Sequence, residues 1–378
     1  MNFNFSEEQQ QFRDSLERYL REAYDFDSRR RILKSEAGYN REVWQQLAEM
    51  GALAIALPEA YGGFGGNAFD TGLVMEAFGR SLVVEPYLST VVLGAGLIAD
   101  AGSDAQKADV LDAVASGERL LALAHGEAGG RYALSHVTTT AQKDGDYWVL
   151  DGSKAVVLHG GAADQLIVSA RTAGAARDAQ GISLFLVDAS AAGVTRRSYP
   201  TQDGGRAADI TLAKVRVADS ARIGAEGAAL ALLEKAIDRA IAALCAEAVG
   251  AMSATIEQTV NYLKTRKQFG VPIGSFQALQ HRAVEMYLHA EQARSMSWLA
   301  AAKLDAPRDE RRHAVSAAKL LVAQSARYVG QQAVQLHGGI GVTDELAVSH
   351  YFKRLTMISL LFGDVDHHLA LFGECMAA

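Results

Sequence analysis

From about residue 221 to the C-terminus, apolar residues recur at the spacing of an α-helix, and only short polar turns interrupt the pattern. The periodicity predicts long helices over Glu234–Arg266, Ala278–Leu304 and Arg308–Leu336, followed by a fourth helical stretch from about residue 345. Long helices joined by short connections are typical of an antiparallel bundle. The sequence therefore predicts a four-helix bundle over residues 221–378.

Two other patterns precede the bundle. Residues 1–118 are predicted to be helical, and Ser6 followed by two glutamates is typical of a helix start. Residues 119–220 instead hold short, often β-branched runs separated by turn signals such as Asp144-Gly145. We expect strands over 120–124, 137–142, 147–150, 165–170, 182–187, 194–199 and 210–217. The predicted fold class is α+β, mainly α, with a helical N-terminal domain, a small central β-barrel or sandwich, and the bundle.

Composition excludes several classes of function. The net charge is −7 with acids and bases mixed along the chain, so no basic run indicates nucleic acid or an anionic membrane surface. The two cysteines, Cys245 and Cys375, do not make a disulfide framework, and no Cys/His cluster has zinc spacing. The start of the chain lacks the pattern of a signal peptide, and no uncharged apolar run reaches about 18 residues. We expect a cytoplasmic protein without a membrane span.

Two glycine-rich turns interrupt the predicted bundle. The first reads Arg266-Lys-Gln-Phe-Gly-Val-Pro-Ile-Gly-Ser-Phe-Gln277, and the second reads Gln335-Leu-His-Gly-Gly-Ile-Gly-Val-Thr343. The planar guanidinium of an arginine can bind two phosphate oxygens at once. Adjacent glycines allow a backbone to approach a ligand where side chains would block it. The two turns are therefore candidate sites for a ligand that contains a diphosphate.

The order of helices, β domain and bundle resembles the acyl-CoA dehydrogenase family over essentially the whole chain. The strongest motifs are TRKQFGVPIGSFQ and QLHGGIGVT, and the segment Asp151–Gly161 is a weaker match. The resemblance implies FAD as the cofactor and an acyl-CoA thioester as the substrate, which is desaturated to the 2,3-enoyl-CoA. Within the family, the chain is most similar to bacterial members that act on steroid-derived and other polycyclic acyl groups.

The resemblance also implies roles for residues of both turns. Arg266 matches the arginine that holds the FAD diphosphate, while Phe269 and Gln277 match residues beside the adenine and ribose. The second turn matches another dinucleotide-binding segment through Gln335, Gly338 and Gly339. The alternatives are that Arg266 is a surface charge at a helix end and that the second turn is a plain connection between helices.

In the β domain, the resemblance assigns the flavin ring to Leu123–Gly130 and to Val156–Leu158. Val156 and Leu158 replace the aromatic and the hydroxyl residue of related sequences, so fewer side chains are available here to support the flavin ring. Main-chain amides can still bond the ring, because they donate regardless of sequence. A mobile hairpin over residues 126–130 is an equal alternative.

The catalytic base is the least conventional feature of the sequence. In the family, the base is most often a glutamate late in the chain, and the matching position here is Phe362. A second group of the family has its base on the first long helix of the bundle, where the matching position here is near Ala240. Glu247 lies seven residues beyond Ala240, which is close to two helical turns, so both share one helix face. Its neighbours at helical spacing are small or apolar, and partial desolvation raises the pKa of a carboxyl. We expect Glu247 to be the base; the alternatives are an ion pair with an arginine across the bundle and simple exposure.

Asp364 is the second candidate for the base. The run Asp364, Asp366, His367 and His368 has the residue types of a metal site, but nothing else in the sequence supplies a matching ligand set, so no metal is predicted. Since the family places cofactor contacts here, Asp364 or Asp366 is expected to touch FAD.

The resemblance implies several partners. Electrons are expected to pass to an electron-transferring flavoprotein, and the chain is expected to form a homo-oligomer or a heterotetramer with a homologous subunit. Two alternatives remain open. One is a non-catalytic subunit that completes a partner's FAD site, and the other is a flavin monooxygenase or oxidase on the same fold.

Overall fold

The first helix begins where the sequence predicts it. A computed structural model describes residues 5–377 of the 378-residue chain. Ser6 caps α1 by accepting a hydrogen bond from the Gln9 amide at 3.2 Å, and the Gln9 side chain accepts one from the Ser6 amide at 2.9 Å. The helices before the β domain are α1 (Glu7–Ala23), α2 (Phe26–Lys34), α3 (Arg41–Glu49), α4 (Ala68–Ser81), α5 (Gly96–Ala101) and α6 (Asp104–Ala115).

The predicted helical stretch over 86–117 is not one helix. It begins as a buried π-helix over Leu88–Ala95, continues as α5, and stops at the extended residue Gly102. Ser103 then caps α6 with a second reciprocal capping box. The break therefore has a local cause, because a cap residue must leave the helical conformation.

The central segment forms one eight-stranded sheet. Its strands are β1 (Leu121–Ala124), β2 (Thr140–Asp144), β3 (Tyr147–Leu158), β4 (Gln165–Arg171), β5 (Ile182–Asp188), β6 (Val194–Pro200), β7 (Arg206–Ala218) and β8 (Arg222–Ile223). Their order is β6-β7-β3-β2-β4-β5-β8, and β1 pairs in parallel with β4. Each of the seven predicted strands overlaps an observed strand, but β2 begins at Thr140 rather than at residue 137, and β7 begins at Arg206 rather than at residue 210. β3 is longer than predicted and reaches Leu158, with a register shift against β7 between Lys154 and Val157.

The C-terminal helices are α7 (Ala229–Thr265), α8 (Gln277–Lys303), α9 (Arg308–His337), α10 (Ala347–Leu360) and α11 (Val365–Ala377). α9 packs against α8, α10 and α11. The last predicted helix is divided in two, because Phe362 and Gly363 have φ angles of 59° and 126° and cannot continue α10. A short hairpin, β9 (Lys267–Gln268) and β10 (Val271–Pro272), follows α7.

The chain folds as two compact units. One contains the residues up to Arg31, Ala68–Val83 and the chain from Ile241 onward, and the other contains Ile32–Asn67 and Val84–Ala240. Helix α7 contributes residues to both. The apolar core of the second unit lies within the sheet and includes Trp148 and Phe185, whose ring centroids are 5.5 Å apart.

In the first unit, α4 and α7 meet backbone to backbone. A Cβ added at Gly79 would lie 1.9 Å from the carbonyl oxygen of Glu247, and one added at Gly250 would lie 1.9 Å from that of Glu76. Side chains cannot fit at either position, so the two glycines permit the close approach. The backbone of Glu247 is thereby fixed against a neighbouring helix.

Two helical stretches, Ala229–Thr265 and Ala347–Glu374, are long and apolar enough for a membrane span by length and composition alone. In the first, 83% of the apolar window is buried inside the protein, as is common for core helices. The second is interrupted between α10 and α11. These features are weak indications of a membrane segment.

Candidate active site

The first glycine-rich turn is a two-residue hairpin loop. Phe269 and Gly270 have φ angles of 54° and 81° and connect β9 to β10, which is the conformation of a type I′ turn. The Phe269 side chain is 89% exposed, and its only aromatic neighbour among the described residues is Phe276, edge to face at 6.1 Å. Arg266 is exposed just after α7, and its guanidinium has no hydrogen bond or ion pair within residues 5–377. Gln277 is exposed at the start of α8.

The second turn begins in a conformation that glycine alone adopts readily. Gly338, directly after α9, has φ 65° and ψ −144°. A Cβ added at Gly338 or Gly339 would meet nothing within 4 Å, so packing within the chain does not explain the two glycines. Both residues and Gln335 are exposed.

An aromatic contact brings the two turns together. The buried His337 ring, in the last turn of α9, stacks on Tyr262 of α7 with centroids 4.5 Å apart. Its Nδ1–H donates to the Ala333 carbonyl at 2.8 Å. Burial lowers the pKa of His337, and the bond to Ala333 only partly opposes this, so the ring is neutral at physiological pH. Because Tyr262 is four residues before Arg266, this stack places the start of the second turn beside the end of α7.

These residues fit a dinucleotide diphosphate. Such a group needs a cationic donor and a backbone that no Cβ covers. The first turn supplies an unpaired guanidinium, and the second supplies two glycines that face open space. Arg266, Gly338 and Gly339 would hold the diphosphate, and the ring of Phe269, in the same turn as Arg266, is uncovered.

Glu247 is held in a two-point ion pair across the bundle. Nε of Arg354, on α10, donates to Oε1 of Glu247 at 2.5 Å, and its second terminal nitrogen donates to Oε2 at 2.7 Å. The Glu247 side chain is 4% exposed and that of Arg354 is 20% exposed. This fork fixes the orientation of the carboxylate, whose oxygens keep further lone pairs for another proton. This is the ion pair named above as an alternative, and its geometry is also compatible with a base.

The loop at the usual position of the base is held by one buried cation, Lys319, and one buried imidazole, His368. Nζ of Lys319 donates to the carbonyl oxygens of Ile358 and Leu361 and so caps the end of α10. Nε2–H of His368 donates to the Phe362 carbonyl at 3.1 Å. Burial lowers the pKa of Lys319 to about 8 and that of His368 to about 3.

The two aspartates of this loop have different environments. Asp364 is half-buried and caps α11, since its Oδ1 accepts a hydrogen bond from the His367 amide at 2.9 Å. Asp366 is exposed in the first turn of α11. Among residues 5–377, no group of three or more His, Cys, Asp or Glu side chains could hold a metal ion. Cys245 is a buried free thiol, and burial raises its pKa to about 12, so it is unreactive.

The two segments of the β domain that are expected to contact the flavin ring are neighbours. The Ala155 amide donates to the Gly126 carbonyl at 2.8 Å, which ties the loop after β1 to β3. The next residue, Val156, has φ 55° and is 55% exposed at the register shift of β3. A β-branched residue in this conformation is a genuine outlier, and such bulges are common beside active sites. Leu158 is half-buried at the end of the same strand.

A charged network lies beside this loop. It was not predicted from the sequence. Lys154, fully buried, forms a 2.6 Å ion pair with Glu127. Burial would raise the pKa of Glu127, but the Lys154 charge and hydrogen bonds from Lys154 and Thr138 lower it to about 2. Burial lowers the pKa of Lys154 to about 8, with Glu127 opposing the shift, so both groups are charged at neutral pH. A lysine on the inward face of β3, after Trp148 and Leu150, is the signal that could have revealed the pair.

Three family models cover nearly the whole chain. They describe the N-terminal, middle and C-terminal domains of acyl-CoA dehydrogenases and match residues 6–118, 122–217 and 226–376, respectively. The chain belongs to the acyl-CoA dehydrogenase family. It is therefore a flavin-dependent oxidoreductase, and FAD is the cofactor that the comparisons support. This confirms the fold class and the cofactor expected from the two turn motifs.

Relatives of the chain differ in the activity that their names describe. The chain is 30% identical over 333 residues to the 3-(aryl)acrylate reductase of Clostridium sporogenes, covering 86% of this chain and 88% of that protein. It is 28% identical over 330 residues to the caffeyl-CoA reductase-Etf complex subunit CarC of Acetobacterium woodii, covering 86% of each.

Solved structures of the family share the whole fold. A "Tcur3481-Tcur3483 steroid ACAD G363A variant" aligns with TM-score 0.88 and 33% identity over 98% of both chains. The ChsE4-ChsE5 complex of Mycobacterium tuberculosis aligns with TM-score 0.89 and 28% identity over 100% of this chain and 99% of that one. An FAD complex of PigA aligns with TM-score 0.91 and 26% identity over 100% and 99%.

Proposed function

We propose that this acyl-CoA dehydrogenase desaturates a bulky acyl-CoA thioester, steroid-derived or otherwise polycyclic, to the 2,3-enoyl-CoA. Glu247 is the proposed base, which takes the proton from the carbon α to the thioester. FAD, when bound, accepts the hydride from the β carbon. The observation that carries the proposal is the pair of adjacent turns with an unpaired Arg266 and uncovered glycines, together with a buried carboxylate on α7.

Arg354 has a defined part in this proposal. Its two-point bond fixes the direction in which the Glu247 lone pairs point before substrate binds. The small buried residues Ala243 and Ala246 lie near Glu247 along α7, and small side chains favour a wide acyl group. The similarity to a structure described as a steroid enzyme supports the same substrate class.

Loss of the Arg266 side chain is expected to weaken FAD binding. Two charge-assisted hydrogen bonds contribute about 1.5–3 kcal/mol each, and each 1.4 kcal/mol is a factor of ten. Arg266→Ala should therefore raise the Kd for FAD by about 100-fold or more in a fluorescence titration of the apoprotein. Arg177→Ala, which removes an exposed arginine from a β-domain loop, is the matched control and should bind FAD as the wild type does. Equal FAD affinity of both variants would contradict the assignment of the turn.

A second candidate is a non-catalytic subunit that completes a partner's FAD site. The observation in its favour is that Phe362 occupies the usual place of the base. The purified chain distinguishes the two functions: a yellow protein that bleaches with an acyl-CoA panel is a dehydrogenase, whereas a colourless protein that raises the activity of a homologue is the auxiliary subunit. An oxidase or monooxygenase would instead show rapid reoxidation of the reduced flavin by oxygen.

We also propose that a subunit of the same fold covers the outer face of α8. Val284, Tyr287 and Leu288 follow one another at helical spacing and are 54–56% exposed, an apolar stripe that the rest of the first unit leaves uncovered. The heteromeric complex among the structural relatives supports a homologous subunit as the occupant. An electron-transferring flavoprotein is the proposed electron acceptor, in line with the Etf-complex relative.

Leu288→Arg is expected to dissociate this assembly, because it places an unpaired charge in an apolar contact. Sedimentation analysis should show smaller particles for this variant, both for the chain alone and after co-expression with a homologous subunit. Leu369→Arg, at an apolar position of α11 with 56% exposure, is the matched control and should leave the mass unchanged. An unaltered assembly in Leu288→Arg would rule out the α8 face as the interface.

A further inference from the structure

The hydrogen bonds of the buried lysine in the β domain determine the state of a neighbouring histidine. Nζ of Lys154 lies 2.6 Å from Oε1 of Glu127, 3.0 Å from Oγ of Ser169 and 3.4 Å from the carbonyl oxygen of His125. An ammonium has three donors and no acceptor. All three are therefore directed at these three oxygens, and Ser169 must accept from the lysine.

The direction of the next hydrogen bond, between Ser169 and His125, is then fixed. Oγ of Ser169 lies 2.9 Å from Nδ1 of His125. Because Ser169 accepts from Lys154, its own O–H is available to donate, and among residues 5–377 the remaining partner of that oxygen is Nδ1 of His125. The imidazole therefore accepts at Nδ1 and carries its proton on Nε2.

The His125 ring is also neutral. Burial, followed by the nearby Lys154 charge, lowers the pKa of His125 to about 3, and Glu127 only partly opposes the shift. A neutral ring with Nδ1 as acceptor presents one N–H donor, at Nε2. Within the described residues, that Nε2 has no hydrogen-bond partner, and the side chain is 9% exposed.

The position of His125 shows where this donor acts. The residue directly follows β1 and begins the loop His125–Gly130. Gly126 is bonded to Ala155, next to the exposed Val156 at the register shift of β3. His125 thus lies within one of the two segments that the family assigns to the flavin ring and beside the other.

Glu127 fixes the same loop from the other side. Oε1 accepts from the Thr139 amide at 3.0 Å, and Oε2 accepts from both the amide and the hydroxyl of Thr138. The loop is therefore held by a carboxylate with at least four donors rather than left as a mobile hairpin. A histidine at its first position is held in a defined orientation.

We infer that His125 donates a hydrogen bond from Nε2 to an acceptor atom of the flavin ring, and that Ser169 and Lys154 act as positioning residues by fixing its tautomer. The inference rests on the proposed FAD-dependent function. It assigns to a side chain the support that Val156 and Leu158 do not supply.

A donor at the ring has a thermodynamic consequence. Reduction adds negative charge to the ring system, and a fixed N–H stabilises that charge more than it stabilises the oxidised ring. His125 therefore raises the reduction potential of bound FAD. Removal of the donor should lower the potential without removing the cofactor.

The experiment compares reduction potentials and absorption spectra of holoenzyme variants. His125→Ala should make reduction at least tenfold less favourable, a shift of ~30 mV for a two-electron couple, and should move the flavin absorption bands. His125→Gln retains an N–H donor and should restore part of the shift. His281→Ala, an exposed position on α8, is the control and should leave potential and spectrum unchanged.

Imidazole ¹⁵N shifts of the wild-type protein test the tautomer without any activity measurement. The expected result is protonated Nε2 and unprotonated Nδ1 in His125, with a mixture of tautomers in Ser169→Ala. Protonated Nδ1 in the wild type would overturn the inference, even if His125→Ala fails to fold. A raised KM with unchanged potential and spectrum would also overturn it, because the contact would then be to substrate.

The failure of the proposed function has a different signature. A wild-type protein that binds no flavin, alone or with a homologous subunit, would overturn both the proposed function and this inference. Flavin-bound variants with unchanged potential and spectrum would overturn the inference alone.

Discussion

Glu247→Gln is expected to lower turnover by about 10²–10⁴-fold, which is the usual contribution of a general base, while FAD binding stays intact. The amide has the shape of the carboxylate but cannot take the α proton. Glutamine can still accept one hydrogen bond from Arg354. The Arg354 side chain is 20% exposed, so water can reach the N–H of Arg354 that loses its partner. Anaerobic single-turnover bleaching of the flavin by an acyl-CoA measures the proton-abstraction step directly.

Asp364→Asn is the matched control for this experiment. Asp364 is the other candidate base, but its Oδ1 already accepts from the His367 amide as a helix cap. Asparagine is an equally good cap residue, so the variant should keep nearly full turnover. Full turnover in Glu247→Gln with loss of turnover in Asp364→Asn would transfer the role of the base to Asp364.

Arg354 variants separate a structural ion pair from a catalytic one. Arg354→Met leaves the buried Glu247 carboxylate without its partner, and breaking a buried pair costs about 3–5 kcal/mol of stability. The double variant Glu247→Gln/Arg354→Met removes both charges and should regain much of that stability but no turnover. Recovery of turnover together with stability would mean that the pair only supports the fold.

The sequence predicted the fold well because its signals are local. Strand alternation, helical spacing and the Ser6 cap depend on neighbours a few residues apart, and the structure confirms them. The break at Phe362-Gly363 was missed, since helical spacing on both sides hid two residues with positive φ. The π-helix over Leu88–Ala95 was missed for a similar reason, because its apolar content is also that of an α-helix.

The candidate site was only partly predictable, because its decisive contacts join distant parts of the chain. Glu247 and Arg354 are 107 residues apart, and nothing near Glu247 in sequence identifies its partner. Lys154 could have been suspected from its inward position on β3, but Glu127 lies in a glycine-rich loop with no periodic pattern. Sequence motifs were enough to locate the two turns, whereas the pairing of the buried charges is visible only in the folded structure.

Lys154→Met is expected to destabilise the protein by about 3–5 kcal/mol, since it leaves the Glu127 carboxylate buried without its cation. The two side chains are 0% and 3% exposed, so water cannot replace the lost partner. Chemical denaturation followed by tryptophan fluorescence reports largely on this unit, because Trp44 and Trp148 are buried in it, whereas Trp298 belongs to the other unit. Arg197→Met, which breaks an exposed pair with Asp209 in the same unit, should leave the stability nearly unchanged, because solvent screens such a pair.

Acid titration provides a second, independent test of the Lys154–Glu127 pair. The pKa of Glu127 is about 2 in the folded state against an ordinary value of 4.5, so the folded state binds fewer protons between these values. Its stabilising contribution is fully present above pH 4.5 and is lost as the pH falls toward 2. The double variant Lys154→Met/Glu127→Gln lacks both charges and should lose less stability than the wild type over this range. Parallel acid curves for the two proteins would show that the Lys154–Glu127 pair is not charged in the folded state. The tautomer of His125 would then no longer be fixed, because only an ammonium at Lys154 forces Ser169 to accept its hydrogen bond.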